Sequence, residues 1–327
     1  MNNFHVPDKS GTEIRTVWRL SATDASRGLQ ALWWSVGPDG ELAVLLVDRR
    51  HLKRSEYITG WVGWWPPELP FSGELVIVRA GDERRTVVQD IGVRPSHVAL
   101  LPDSRFLLAC GRTGRSETGG GWKPNAVVFS SSGTPEDEFC IGDDIPVLVT
   151  DRSGVLWTAY GDEGIYGAHT ESRAGLGGWD SSGRAVWAPE GLPDAPLDGC
   201  TAATEDDQVW LAWYAGPLRG GDLGPGPVRG GTYLTRITPA TGDVITHPSP
   251  VPQPDGFAIR DNCAVLTVRD HGHPCTELIR ARLHDTTWTV TSRRKLEVPG
   301  PVVLHCGQGR DGSLYLRAGD TWLCIDV

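Results

Sequence analysis

The chain has 327 residues and a mass of 35.4 kDa, with 41 Gly, 24 Pro, 14 Trp and a single Met. Gly and Pro make about a fifth of it, short of the roughly 25–30% at which composition alone signals disorder; Trp, Val and Thr among frequent turn residues suit short strands, not a helical bundle or coiled coil. A formal charge of −10, from 31 Lys+Arg against 41 Asp+Glu, repels phosphate backbones and argues against a nucleic-acid partner.

The N-terminal stretch Met1-Asn-Asn-Phe-His-Val-Pro-Asp-Lys9 has neither a basic start nor an apolar signal region, and no apolar run is long enough to span a membrane. A soluble, cytoplasmic protein without a membrane partner is expected. Residues 13–20 (Glu-Ile-Arg-Thr-Val-Trp-Arg-Leu) then alternate like a strand. From residue 28 one turn signature recurs. Pro38-Asp39-Gly40 before Glu-Leu-Ala-Val is echoed at Pro102-Asp103, Asp151-Arg-Ser-Gly154, Glu205-Asp-Asp207, Arg260-Asp261-Asn262 and Arg310-Asp311-Gly312, each ahead of an apolar run. The leading acidic residues at 39, 103, 151, 205, 261 and 311 stand 64, 48, 54, 56 and 50 residues apart.

Every unit has the same order: an apolar run, the turn, a second run, a variable loop and a hairpin. The hairpin strands begin at Glu74, Ala126, Leu176, Tyr233 and Glu277. Four short strands repeated around an axis predict an all-β, six-bladed β-propeller with four-stranded antiparallel blades. The blades span roughly 28–92, 93–142, 143–195, 196–252, 253–300 and 301–327, within one domain. The last unit stops after three strands, so residues 13–20 are expected to supply its fourth and close the ring, removing exposed edges.

In such a fold the short turns lie on one face and the long second-to-third loops on the other, where binding usually resides. Those loops hold Trp61, Trp64 and Trp65; Arg112, Arg115 and Trp122; Asp162, Glu163, Tyr166 and His169; Arg219 and Arg229; and His271 and His273. The Trp61, Trp64, Trp65 cluster suits a stacking platform or a protein contact, or else a loop capping the first blade. Trp157, Trp210, Trp213, Trp288 and Trp322 sit in strands and are expected in the core. Arg49, Arg50, His51, Lys53 and Arg54 read as a solvated loop ahead of an anion patch.

Six or seven residues before each turn, where the innermost strand should begin, stand Ser96 and His97, Asp144 after Asp143, Asp198, Asp255 and His305. The first unit offers Leu32 and Trp33 instead. Asp144, Asp198 and Asp255 are candidate ligands for a divalent cation (Ca, Mg, Mn or Zn), and with His97 and His305 are candidate catalytic groups; no cofactor is certain. Asp at the start of a strand also bonds to nearby backbone N–H groups, which needs no ligand. The seven cysteines lack a C-x-x-C pair and mostly sit in apolar runs, so reduced core thiols are expected.

Tyr160-Gly-Asp-Glu-Gly-Ile-Tyr-Gly167, followed by Gly175-Leu-Gly-Gly-Trp179, resembles a Tyr-x-Asp-Glu-Gly-hydrophobic-aromatic-Gly signature of bacterial propeller-like proteins. The resemblance covers the third unit and implies a propeller with Asp162 and Glu163 on the loop face. Gluconolactonase-like and strictosidine-synthase-like propellers are similar in architecture alone. Two functions follow: a module binding a small molecule or a protein on its aromatic and acidic loop face, or a metal-assisted hydrolase, lactonase or lyase at the same channel mouth.

Overall fold

Left-handed backbone marks the recurring turns. Gly40 (φ 79), Asp103 (φ 61), Gly154 (φ 89), Asp206 (φ 51), Asp261 (φ 50) and Asp311 (φ 47) all adopt it. This conformation suits two-residue hairpins between right-twisted strands, and Asp, Asn and Gly tolerate it best. Asp151 adds a side-chain clamp. Its carboxylate accepts from the Ser153 and Val155 amides at 2.8 and 3.1 Å and from Trp157 Nε1 at 2.8 Å, which fixes the turn to the following strand.

The computed structural model of the chain describes residues 6–7, 13–54, 64–65, 67–117, 119–216, 230–270, 275–300 and 302–327. The side chains of residues 6, 7, 13, 54, 64, 270 and 303–306 lie outside that description. Among the described residues no helix is long and apolar enough to cross a membrane. The fold is all-β, built of four-stranded antiparallel units. Unit 1 holds Leu29–Val36, Leu42–Asp48, Phe71–Arg79 and Asp82–Ile91. Unit 2 holds His97–Leu100, Phe106–Ala109, Ala126–Phe129 and Pro135–Phe139. Unit 3 holds Val147–Thr150, Leu156–Ala159, Leu176–Trp179 and Ala185–Trp187. Unit 4 holds Asp198–Glu205, Gln208–Ala215, Gly231–Thr238 and Asp243–Pro248. Unit 5 holds Gly256–Arg260, Cys263–Asp270, Cys275–His284 and Thr287–Lys295. Unit 6 holds Val302–Arg310, Ser313–Ala318 and Thr321–Asp326, and Glu13–Arg19 pairs with the last of these, Ile14 opposite Ile325 and Arg19 opposite Thr321.

Alternation along the strands sends apolar side chains to both faces of each sheet, so neighbouring sheets pack face to face. Phe71 and Leu75 of unit 1 meet Phe106 and Phe129 of unit 2. Equivalent buried clusters join units 2 and 3, 3 and 4, 4 and 5, and 5 and 6. Trp322 of unit 6 packs with Trp18 and with Val44 and Val76 of unit 1. Trp157, Trp210, Trp213, Trp288 and Trp322 are all buried, as their strand positions predict. The six described cysteines are free thiols.

One feature departs from separate sheets. The first strands of units 4 and 6 pair in parallel, Ala202 opposite Gln308 and Thr204 opposite Arg310, merging the two units into one sheet. Glycine permits this approach. A Cβ on Gly309 would collide with the Phe257 carbonyl and stand 2.7 Å from Ala203 Cβ, and one on Gly307 would strike Gly256. Gly309→Ala should therefore destabilise the protein by about 3 kcal/mol or more, read by chemical denaturation. Gly231→Ala, with nothing within 4 Å of its added methyl, should change stability little.

Candidate functional site

The first strands of units 1, 2, 3, 4 and 6 enclose a cavity of about 250 Å³. Unit 5 contributes nothing to its wall, because the paired strands of units 4 and 6 stand in front of it. The wall is largely apolar, with Leu32, Trp33, Val98 and Leu148 among its members. Its polar groups are neutral. Thr201 donates to the Gly307 carbonyl at 2.6 Å, and Gln308 Oε1 accepts from the Val36 amide at 2.7 Å. His97 Nε2 lies 2.6 Å from the Ile145 carbonyl and must donate to it. Burial lowers the His97 pKa against the opposing pull of that carbonyl, so the ring is neutral. Cys200 is held as a thiol, pushed up to about 12 by burial and then by the charges of Asp198 and Asp255. Ser35 Oγ, on a residue 6% exposed, is buried without a hydrogen-bond partner. A buried hydroxyl in that state costs about 1–3 kcal/mol.

The wall residues run from the starts of the first strands to Ser35 and Gln308 near their ends, where the strands are tied together. Arg310, 3% exposed, donates from Nη2 to the Val36 carbonyl at 3.2 Å and to the Thr150 carbonyl at 2.7 Å, bridging units 6, 1 and 3. Burial pulls its pKa down to about 10.

Acidic side chains gather around the strand starts. Asp143 is hydrogen-bonded by Arg112 Nε at 3.1 Å and the Thr113 amide at 2.9 Å. Asp144 accepts from the Glu163 amide at 3.0 Å, capping the one-turn helix Asp162–Ile165, and the bare Cα of Gly161 makes room for its carboxylate. Arg112 also pairs with Glu163. Burial raises the Asp144 pKa, with Arg112 pulling the other way. Asp198 is different. Its side chain reaches solvent, yet protein crowds its remaining sides, and this loss of water followed by the charges of Asp144 and Asp162 pushes it up to about 6.

Of the residues singled out by sequence, Leu32, Trp33, Ser96 and His97 line the cavity; Asp144 directly precedes the wall residue Ile145, Asp198 stands two residues ahead of Cys200, and the charges of Asp144 and Asp162 act on Asp198. Asp255 is buried behind the wall. Among the described residues no three His, Cys, Asp or Glu side chains form a group able to hold a metal ion. Trp65 is 55% exposed and Tyr166 75% exposed. The side chains of Trp64 and His305, and all of Trp61, Arg219, Arg229, His271 and His273, lie outside the described residues. The basic stretch is mostly solvent-facing: Asp48 caps a single turn at Arg49–His51, and Lys53–Arg54 pair with Trp64–Trp65.

Trp122 belongs to a second cluster that no sequence motif announces. Its ring lies 4.8 Å from that of His169 and carries the Arg115 guanidinium at 4.1 Å. His169 Nε2 is 3.4 Å from Cys140 Sγ, and Nδ1 is 3.2 Å from Glu171 Oε2 without hydrogen-bond alignment. Burial raises the thiol and lowers the imidazole, so the pair stays neutral and pins the end of unit 2 to the loop of unit 3.

No family model and no curated protein matches the chain. Solved structures do. The hydrazine synthase of Kuenenia stuttgartiensis is similar at a TM-score of 0.53 and 14% identity, over 92% of this chain and 96% of that one. The WD40 domain of Neurospora crassa Pan2 matches at 0.44 and 12%, over 100% and 97%. The β-propeller domain of the Trilobed protease from Pyrococcus furiosus matches at 0.44 and 11%, over 88% and 78%. At these identities likeness concerns fold, not function.

The raised value of Asp198 has a signed consequence. Its folded-state pKa of about 6 exceeds the ordinary 3.8, so ionising it weakens the fold; the cost is absent below 3.8 and complete above about 6. Asp198→Asn should raise Tm by about 1–3 °C at pH 7.5, with the gain fading at pH 4, the size being limited by solvent screening. An unchanged difference between the two pH values would contradict the crowding of charge at the rim.

Proposed function

We propose that the units are the blades of a six-bladed β-propeller, closed by Glu13–Arg19, that binds a small molecule in its central cavity from the loop face. Support for the ring comes from the packing order. The first strands of successive units touch, and the first strand of unit 6 touches that of unit 1. Support for binding comes chiefly from one observation: a largely apolar cavity walled by the first strands of five units, with the polar residues Ser96, His97, Thr201 and Gln308 in its lining and Arg310 tying the strand ends beyond it. A few converging polar groups in an apolar concavity is the usual make-up of a ligand site.

The binding reading has more support than metal-assisted hydrolysis. Asp144 is committed to capping the helix at Asp162, Asp143 to Arg112 and Thr113, and the neutral His97 donates its Nε2 proton to a backbone carbonyl. The exposed Trp65 and Tyr166 offer a protein contact, but among the described side chains each is a single surface aromatic, and such residues are ordinary.

Ser35→Leu fills the cavity and removes the unsatisfied hydroxyl. Ligand-observed NMR with a library of single-ring compounds should find binders to the parent protein, and the substitution should weaken them about tenfold or more while Tm holds or rises. Binding that survives Ser35→Leu places the ligand elsewhere.

A further inference from the structure

We propose that the cavity selects a small organic cation: a body about the size of one ring sits against Trp33, Val98 and Leu148, and a protonated amine meets Asp198 at the rim. This rests on the cavity being the ligand site. Three features of the structure lead to the choice of charge.

Among the described residues no ionised group lines the cavity, whose polar members are hydroxyls, an amide, a neutral imidazole and a protonated thiol. Any charge on the guest must therefore remain at the mouth, because an unpaired charge in an apolar wall is expensive. A carboxylate there would meet Asp198, Asp144 and Asp162. Among the described residues the guanidinium of Arg112 on that side is held by Asp143 and Glu163. Arg310 is tied to the Val36 and Thr150 carbonyls at the opposite ends of the strands.

Asp198 is also the acid left in need of a partner. It opens the first strand of unit 4, two residues ahead of the wall residue Cys200, and its carboxylate reaches solvent. The groups acting on it from neighbouring elements are Asp144, ahead of the first strand of unit 3, Asp162 in the loop helix, and the Gly199 amide. Two of the three repel its charge. An ammonium brought by a ligand relieves that repulsion and gains a charge-assisted hydrogen bond.

Size sets the rest. An engineered cavity of about 150 Å³ holds benzene, so about 250 Å³ accommodates a ring with a two-carbon arm. Binding then requires Asp198 ionised, and affinity for the ammonium falls as pH drops through about 6.

Calorimetric titration of the full chain with 2-phenylethylammonium, 2-phenylethanol and phenylacetate varies charge at nearly constant shape. At pH 7.5 the ammonium should bind about tenfold tighter than the alcohol, and phenylacetate weakest. Asp198→Asn, or pH 5, should erase that advantage and leave the alcohol unchanged; Ser35→Leu should weaken all three. Equal affinity for ammonium and alcohol overturns the cation preference and leaves the cavity reading standing. An ammonium preference that survives Asp198→Asn overturns the role of Asp198. Loss of preference in Asp198→Asn combined with indifference to Ser35→Leu means a rim site without the cavity, and no binding by any probe defeats both proposals.

Discussion

How closely backbones can approach one another near the axis governs the shape of this protein. On one side Gly256, Gly307 and Gly309 let the first strands of units 4, 5 and 6 close up until two of them share hydrogen bonds. On the other, the strands of units 1, 2 and 3 carry Trp33, His97 and Leu148 and stand back. The cavity is the space left by that asymmetry. Without side chains between them, the glycine-lined strands exchange an open channel for ladder hydrogen bonds; with bulky ones, the opposite strands hold a void open and line it.

The polar chemistry follows the same division. Where strands pair, their amides and carbonyls satisfy one another, and where they part, side chains take over: Gln308 caps the Val36 amide, Thr201 the Gly307 carbonyl and His97 the Ile145 carbonyl. Ser35 is the member of this lining left over. At the rim, long loops must be anchored, and the acids there are spent largely on that: Asp144 on a helix turn, Asp143 on the Arg112 loop. Asp198 alone of the three sequence-marked carboxylates combines solvent access with uncompensated repulsion.

Much of this architecture was legible in the sequence, because left-handed turns admit few residue types and so write themselves into the chain as Asp, Asn and Gly. Residues 126–129 and 176–179 form the strands their apolar runs predict, and Glu13–Arg19, read as a strand from its alternation, pairs with the last strand of unit 6. The cavity wall was harder to read. Counting back from the turns marks Asp144, Asp198 and Asp255 as lining, but the first strands of units 1, 4 and 6 contain bulges, between Ala31 and Trp33, Gly199 and Thr201, and Val302 and Gly307. The unit 4 bulge shifts the alternation just after Asp198, whereas Asp144 and Asp255 stand ahead of the first residues of their strands, and Leu32 and Trp33 stay on the wall despite the bulge beside them. The Cys140–His169 contact joins residues 29 apart in different units, and no local pattern encodes it.

Arg310 ties together the strand ends that make the floor of the cavity. Its guanidinium spans from unit 6 to carbonyls on units 1 and 3, and opening the floor would break two hydrogen bonds to a charged donor, of roughly 1.5–3 kcal/mol each, inside a buried setting. Three units thus share one buried guanidinium, so a change at Arg310 is felt by units 1, 3 and 6 together, on the side of the molecule away from the loops that carry Asp144 and Asp162.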